Sequence, residues 1–148
     1  MFDPSQFLDM QVEGSNDTKL IPVPAGEFTA ISEKVECRTW TSKKDPSKSG
    51  VTLEVHWLID DNSVKEMLGR DKVSVRQGIM LDLLDSGGLD MGKGKNVGLG
   101  RLREALNMNS PGEPFSFSMI PGRMAKIKVD HRIDGDAIYA EVKGVTKV

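Results

Sequence analysis

Between Cys37 and Gly50 the chain reads CRTWTSKKDPSKSG, which sets four cations (Arg38, Lys43, Lys44, Lys48) around one tryptophan, Trp40. Lysines neutralise phosphates, and a flat ring accepts the face of any base. That combination is the chemistry of single-stranded nucleic-acid binding, with about 1–3 kcal/mol for each stacked base. The same ring folded back over its own domain would be ordinary packing, so the sequence leaves Trp40 with two readings.

Other stretches suggest chemistry less fully. Gly87 to Gly94, GGLDMGKG, has the spacing of a phosphate-binding loop but places Gly94 where magnesium needs Ser or Thr, so nucleotide hydrolysis is not expected. Lys93 and Lys95, beside the amides at the start of a helix near Asn96, are candidates to hold one backbone phosphate. Asp82, Asp85 and Asp90 offer a metal-dependent nuclease as an alternative. One cysteine, Cys37, and two histidines, His56 and His131, are too few for a Cys/His zinc site. No Ser-His-Asp arrangement is recognisable. The expectation is a non-enzyme with no cofactor and no metal.

Composition narrows the class further. With 148 residues and 38% hydrophobic side chains, the chain can bury one core without disulfides. It has neither an 18-residue apolar run nor a secretory h-region, so no membrane partner is expected and the location expected is cytoplasmic. The formal net charge is -2, but Asp3, Asp9, Glu13 and Asp17 contribute -4 in residues 1–17 without a cation, which leaves +2 for residues 18–148. Charge is thus segregated between an acidic arm and a mildly basic remainder.

The elements that must position these groups follow from hydrophobic period and turn residues. Residues 1–19 have no clean period and read as an acidic, flexible arm ahead of one domain over 20–148. EFTAISEKVECRTW (Glu27 to Trp40) reads as a strand. VTLEVHWLID (Val51 to Asp60) alternates, with Val51, Leu53, Val55, Trp57 and Ile59 on one face. A short helix over Asn62–Gly69, capped by Asn or Ser, precedes a third strand within Asp71–Asp85. Val97, Leu99, Leu102 and Leu106 predict the main helix over Asn96–Met108. FSFSM, RMAKIKVDHRID and AIYAEVKGVTKV all have strand character, the last two joined by a turn at Asp134-Gly135-Asp136.

This order suits a mainly β fold: a five-stranded Greek-key OB-type barrel with one helix between strands 3 and 4 and a short helix between strands 2 and 3. An open antiparallel sheet with a helix on one face is the alternative. In the barrel, Arg38–Gly50 and Ile133–Ala137 become the two loops that grip a single strand. Parity along the strands turns His56, Arg76, Lys126, Lys128, Tyr139 and Lys143 outward, and Arg132 ends the fourth strand beside the second loop. Together with Arg38, Trp40, Lys43, Lys44 and Lys48 they form the expected nucleic-acid-binding set.

The phrases IPVPAGEFTAISEKVE, RTWTSKKDPSKSGVTLEVHW, GKGKNVGLGRLREALNM and PGRMAKIKVDHR followed by IYAEVKGV cover most of residues 20–148. In this layout the chain resembles bacteriophage OB-fold single-stranded DNA-binding proteins and related uncharacterised phage families. The resemblance implies a protein that coats single-stranded DNA during replication or recombination in the cytoplasm of an infected bacterium. It also implies a small homo-oligomer, since such proteins act cooperatively along a strand. Many of these proteins end in an acidic tail with a hydrophobic tip, whereas this chain ends VKGVTKV. The arm MFDPSQFLDM has a similar composition, so Phe2, Asp3, Phe7, Leu8 and Asp9 are expected to recruit replication or recombination proteins, or to compete with DNA for the basic surface. An interaction or inhibitor module on the same fold, acting on a host or replisome protein through Trp40, remains an alternative.

Overall fold

The computed structural model describes residues 2–148; Met1, the first residue of the acidic arm, lies outside the described residues. In chain order the elements are β1 (Gly26–Thr41), β2 (Ser49–Ile59), α1 (Asn62–Leu68), β3 (Ser74–Met80), α2 (Val97–Ala105), β4 (Met124–Asp134) and β5 (Ala137–Thr146). The fold is mainly β, and its five strands form one sheet that closes in a ring in the order β1-β2-β3-β5-β4.

Alternation in β2 has the consequence expected of it. Leu53, Val55, Trp57 and Ile59 point inward and are buried, and they meet Val75 and Ile79 of β3 and Ala125, Ile127 and Val129 of β4. Each large apolar side chain taken fully from water contributes about 1.5–3 kcal/mol. Burying an indole also requires a partner for its N–H. Trp57 Nε1 donates to Gln77 Oε1 at 3.0 Å, which explains a polar residue on the inward face of β3.

The 16-residue strand β1 serves two neighbours, pairing with β4 through Gly26–Ile31 and with β2 through Ala30–Thr41. A register shift between Ser32 and Lys34 lets it bend from one to the other. Ser32 is buried there, with its Oγ donating to the Ile120 carbonyl at 2.6 Å and its backbone N–H to the Arg123 carbonyl at 2.8 Å. The corner of the sheet is therefore pinned by the segment that leads into β4.

Several boundaries differ from those the sequence suggests, each for a local reason. β1 runs to Thr41 and β2 begins at Ser49, so the first connection is 42–48, not 38–50. The second is the two-residue turn Gly135–Asp136, with Gly135 at φ 60°, too short to grip a ligand as a loop. β3 ends at Met80 because the Asp82 backbone N–H leaves the ladder and donates to Asn96 Oδ1 at 2.8 Å. FSFSM is no strand: Phe117–Met119 form a 3-10 turn, since the ring is complete without it and offers no edge to pair with. The cap of α1 is Asp61, whose Oδ1 accepts from Ser63 and Val64 N–H at 2.9 and 3.3 Å. No helix of the described residues is long and apolar enough to cross a membrane.

Candidate nucleic-acid interface

β3 and β5 meet through one parallel pair, Arg76 with Glu141, and the sparse junction opens into a groove of about 1040 Å³. Arg76 and Gln77 line it from β3, Arg101 from α2, Arg132 from β4, and Tyr139, Glu141 and Lys143 from β5. Helix α2 reaches this wall because Gly98 faces β3 closely, where an added Cβ would stand 3.4 Å from Ile79 Cγ2. Arg101, three residues on from Gly98, shares its helix face and so enters the groove.

Cross-strand pairing sets Arg132 beside Tyr139, and the guanidinium carbon lies 4.8 Å from the ring centroid, a cation–π contact. Glu141 holds this arrangement. Its carboxylate accepts from Arg132 Nε at 2.6 Å and from Lys143 Nζ at 3.0 Å. The bonded Arg132, and after it Lys143, keep the Glu141 carboxyl below the usual carboxylate range, while Glu141 raises Arg132. Four cations (Arg76, Arg101, Arg132, Lys143) thus share the groove wall with two carboxylates, Glu54 and Glu141.

The basic aromatic segment lies elsewhere, at the tip of the β1–β2 hairpin and outside the groove lining. Arg38 and Trp40 are strand residues, and only Lys43, Lys44 and Lys48 occupy the turn. Trp40 pairs with Gly50, and a Cβ on Gly50 would come within 2.8 Å of three atoms of the indole ring. The glycine is where it is because the ring lies over it, an aromatic covering a strand glycine. Trp40 is half-buried, while Lys43, Lys44 and Lys48 are exposed and make no ion pair among the described residues.

The other expected residues fall into four places. Lys126 and Lys128 stand exposed on β4 between β1 and β5; neither lines the groove, but Lys128 borders it, paired across from the groove residue Gly144. His56 faces outward by parity but is buried at 7% exposure, beneath Glu36 and Glu54. Arg38 ties itself to the same carboxylates: its Nη2 donates to Glu36 at 3.0 Å and its Nε lies 2.9 Å from Glu54 Oε2. Glu36, bonded first by Arg38 and then by Lys34, is held below the usual carboxylate range.

In the glycine-rich loop, Lys93 and Lys95 are exposed beside the start of α2. Asp82 and Asp90 have structural work: Asp82 Oδ2 accepts from the Asn96 backbone at 2.7 Å, and Asp90 Oδ1 from Gly92 N–H at 2.9 Å. Asn96, buried and at φ 52°, donates its amide to the Asp82 and Asp90 carbonyls, both at 2.9 Å. Asp82, Asp85 and Asp90 do not converge as metal ligands among the described residues. In the arm, Asp3 caps a 3-10 turn over Pro4–Phe7, and Phe2, Phe7, Leu8 and Asp9 are exposed.

Sequence reasoning missed Arg101, hidden in an unremarkable helix, and the carboxylates Glu36, Glu54 and Glu141 that hold so many of the cations. Opposite charges two residues apart along a strand, as in Glu141-Val142-Lys143, are the signal that could have found the last of these. The chain matches no family model and no curated protein.

Proposed function

We propose that the protein is a non-enzymatic single-stranded DNA-binding protein of the phage type, built on an OB-type Greek-key barrel. The strand order β1-β2-β3-β5-β4, with α2 between β3 and β4, is what that topology requires. The observation that carries the functional reading is the groove between β3 and β5. It combines four cations with an exposed tyrosine in a cleft bordered by β3, one of the strands that OB folds use to take oligonucleotides.

Bases stack on Tyr139 and on the solvent side of Trp40, while Arg76, Arg101, Arg132 and Lys143 follow the phosphates through the groove. Lys43, Lys44 and Lys48 extend the track past the hairpin tip. Backbone charge and stacking are indifferent to base identity, so binding is sequence-tolerant. The exposed Phe2, Phe7 and Leu8 of the acidic arm present a short peptide to replication or recombination proteins in the bacterial cytoplasm, and a small homo-oligomer coats the strand.

Fluorescence anisotropy of a labelled oligo-dT at two salt concentrations tests this. Binding should weaken at higher salt with a slope of about -0.7 per phosphate contact, and duplex of the same length should bind less well. An absence of binding at low salt overturns the reading. A second reading, a protein-interaction module, draws on Glu36, Glu54 and Glu141, which already neutralise Arg38, Arg132 and Lys143. It requires a partner whose binding depends on Trp40 and survives high salt.

A further inference from the structure

The outer face of the β1–β2 pair carries a second arrangement, which adjoins the groove only through Glu54. Register places Glu36 directly across from Glu54, and Lys34 across from His56. One ligand atom from each of Glu36, Glu54 and His56 lies within 4.8 Å of the others, and His56 Nε2 is 3.9 Å from both Glu36 Oε2 and Glu54 Oε2. The imidazole is more than nine-tenths buried, and its Nε2 has no hydrogen-bond partner. Burying a ring nitrogen without a partner costs free energy, on the order of 1–3 kcal/mol, unless something else occupies that direction.

We propose that Glu36, Glu54 and His56 form a site for a divalent first-row transition metal, with Zn²⁺ as its best-suited occupant. One imidazole nitrogen and two carboxylate oxygens form a three-ligand set that leaves a fourth position open. Bonds of about 2.1 Å in tetrahedral geometry put neighbouring ligand atoms about 3.4 Å apart, so the two 3.9 Å separations from His56 need to close by about half an ångström, while all three atoms, now within 4.8 Å of one another, must draw together by rotation of the glutamate side chains. Glu36 is the most exposed of the three and supplies the way in. Calcium and magnesium, which prefer all-oxygen shells, fit an imidazole poorly.

Arg38 balances both carboxylates, with Nη2 3.0 Å from Glu36 Oε2 and Nε 2.9 Å from Glu54 Oε2, the latter without hydrogen-bond geometry, while Lys34 Nζ lies 3.3 Å from the other Glu36 oxygen. Arg38 and the metal therefore compete for the same two oxygens. Removing the arginine should tighten metal binding. The site stands whether or not the groove binds DNA.

The test is calorimetric titration of the metal-free full chain with Zn²⁺, and with Co²⁺ followed by its visible absorption, for wild type, Glu36→Gln, His56→Asn and Arg38→Ala. One-to-one binding that falls at least tenfold in Glu36→Gln and His56→Asn and rises several-fold in Arg38→Ala is expected, with a Co²⁺ spectrum of tetrahedral intensity. Circular dichroism checks each fold, and if His56→Asn unfolds, Glu36→Gln, at a half-exposed position, decides alone. No binding by wild type, or binding that Glu36→Gln leaves unchanged, overturns the site. So does an affinity for Zn²⁺ that Arg38→Ala fails to raise.

Discussion

The two aromatic stations of the proposed interface, Trp40 at the hairpin tip and Tyr139 in the groove, are built in opposite ways. At the tip the ring is fixed by a glycine beneath it, and Lys43, Lys44 and Lys48 make no ion pair among the described residues. In the groove the ring is covered by a guanidinium, and two of the neighbouring cations, Arg132 and Lys143, are held by one carboxylate. Free lysines are strongly hydrated and cost side-chain entropy when they bind. Cations tethered by Glu141 have lost that freedom in advance, but a phosphate must compete with the carboxylate for them. If the two stations bind one strand as proposed, the tip is the salt-sensitive end and the groove the preorganised one.

Stacking is the largest effect expected at either station. Tyr139→Ala and Trp40→Ala should each weaken oligo-dT binding by about 5- to 150-fold, the range of about 1–3 kcal/mol per base, as read by anisotropy. If only one of the two matters, the track does not join the stations. Replacing Lys43, Lys44 and Lys48 together by Ala should flatten the salt dependence by about 2 in logarithmic slope and leave Tyr139 quenching in place. Glu141→Gln should act in the other direction, raising affinity several-fold at neutral pH by releasing Arg132 and Lys143; a loss of affinity would mean that Glu141 serves to orient them.

Smaller effects appear in stability. Because the folded-state pKa of Glu141 is depressed, its contribution is present above the ordinary carboxylate pKa of about 4.3 and is lost as pH falls through the folded value. Glu141→Gln should therefore remove part of the decline in Tm that wild type shows on acidification below that range. Gly50→Ala should cost about 1–3 kcal/mol in urea melts and change Trp40 emission, since the ring has to move off the new methyl group.

Much of this fold was legible in the chain. Strict alternation in VTLEVHWLID pointed to Leu53, Val55, Trp57 and Ile59 as buried, although Val51 is only half-buried, and the helix over the 97–105 region followed from its leucines. Boundaries were harder to read, because they depend on partners far away in sequence. Trp40 looked like a loop residue until the register set it opposite Gly50, ten positions on. The alternation of FSFSM has strand character, but a closed ring has no place for a sixth strand. His56 was expected on the outward, ligand-facing side; its burial depends on Glu36, Glu54 and Arg38, brought together only by pairing across two strands. The cations were visible as types, but whether each is free or held by a carboxylate is a property of the folded sheet.

Photocrosslinking of full-length protein to an iodouridine-substituted oligo-dT, followed by peptide mass spectrometry, tests the shared track most directly. Crosslinks to the peptides containing Tyr139 and Trp40, both suppressed by added salt, are expected. Crosslinks confined to the arm or to the 82–95 loop, or none at all under conditions where binding is seen, would contradict the claim that these two stations hold one strand.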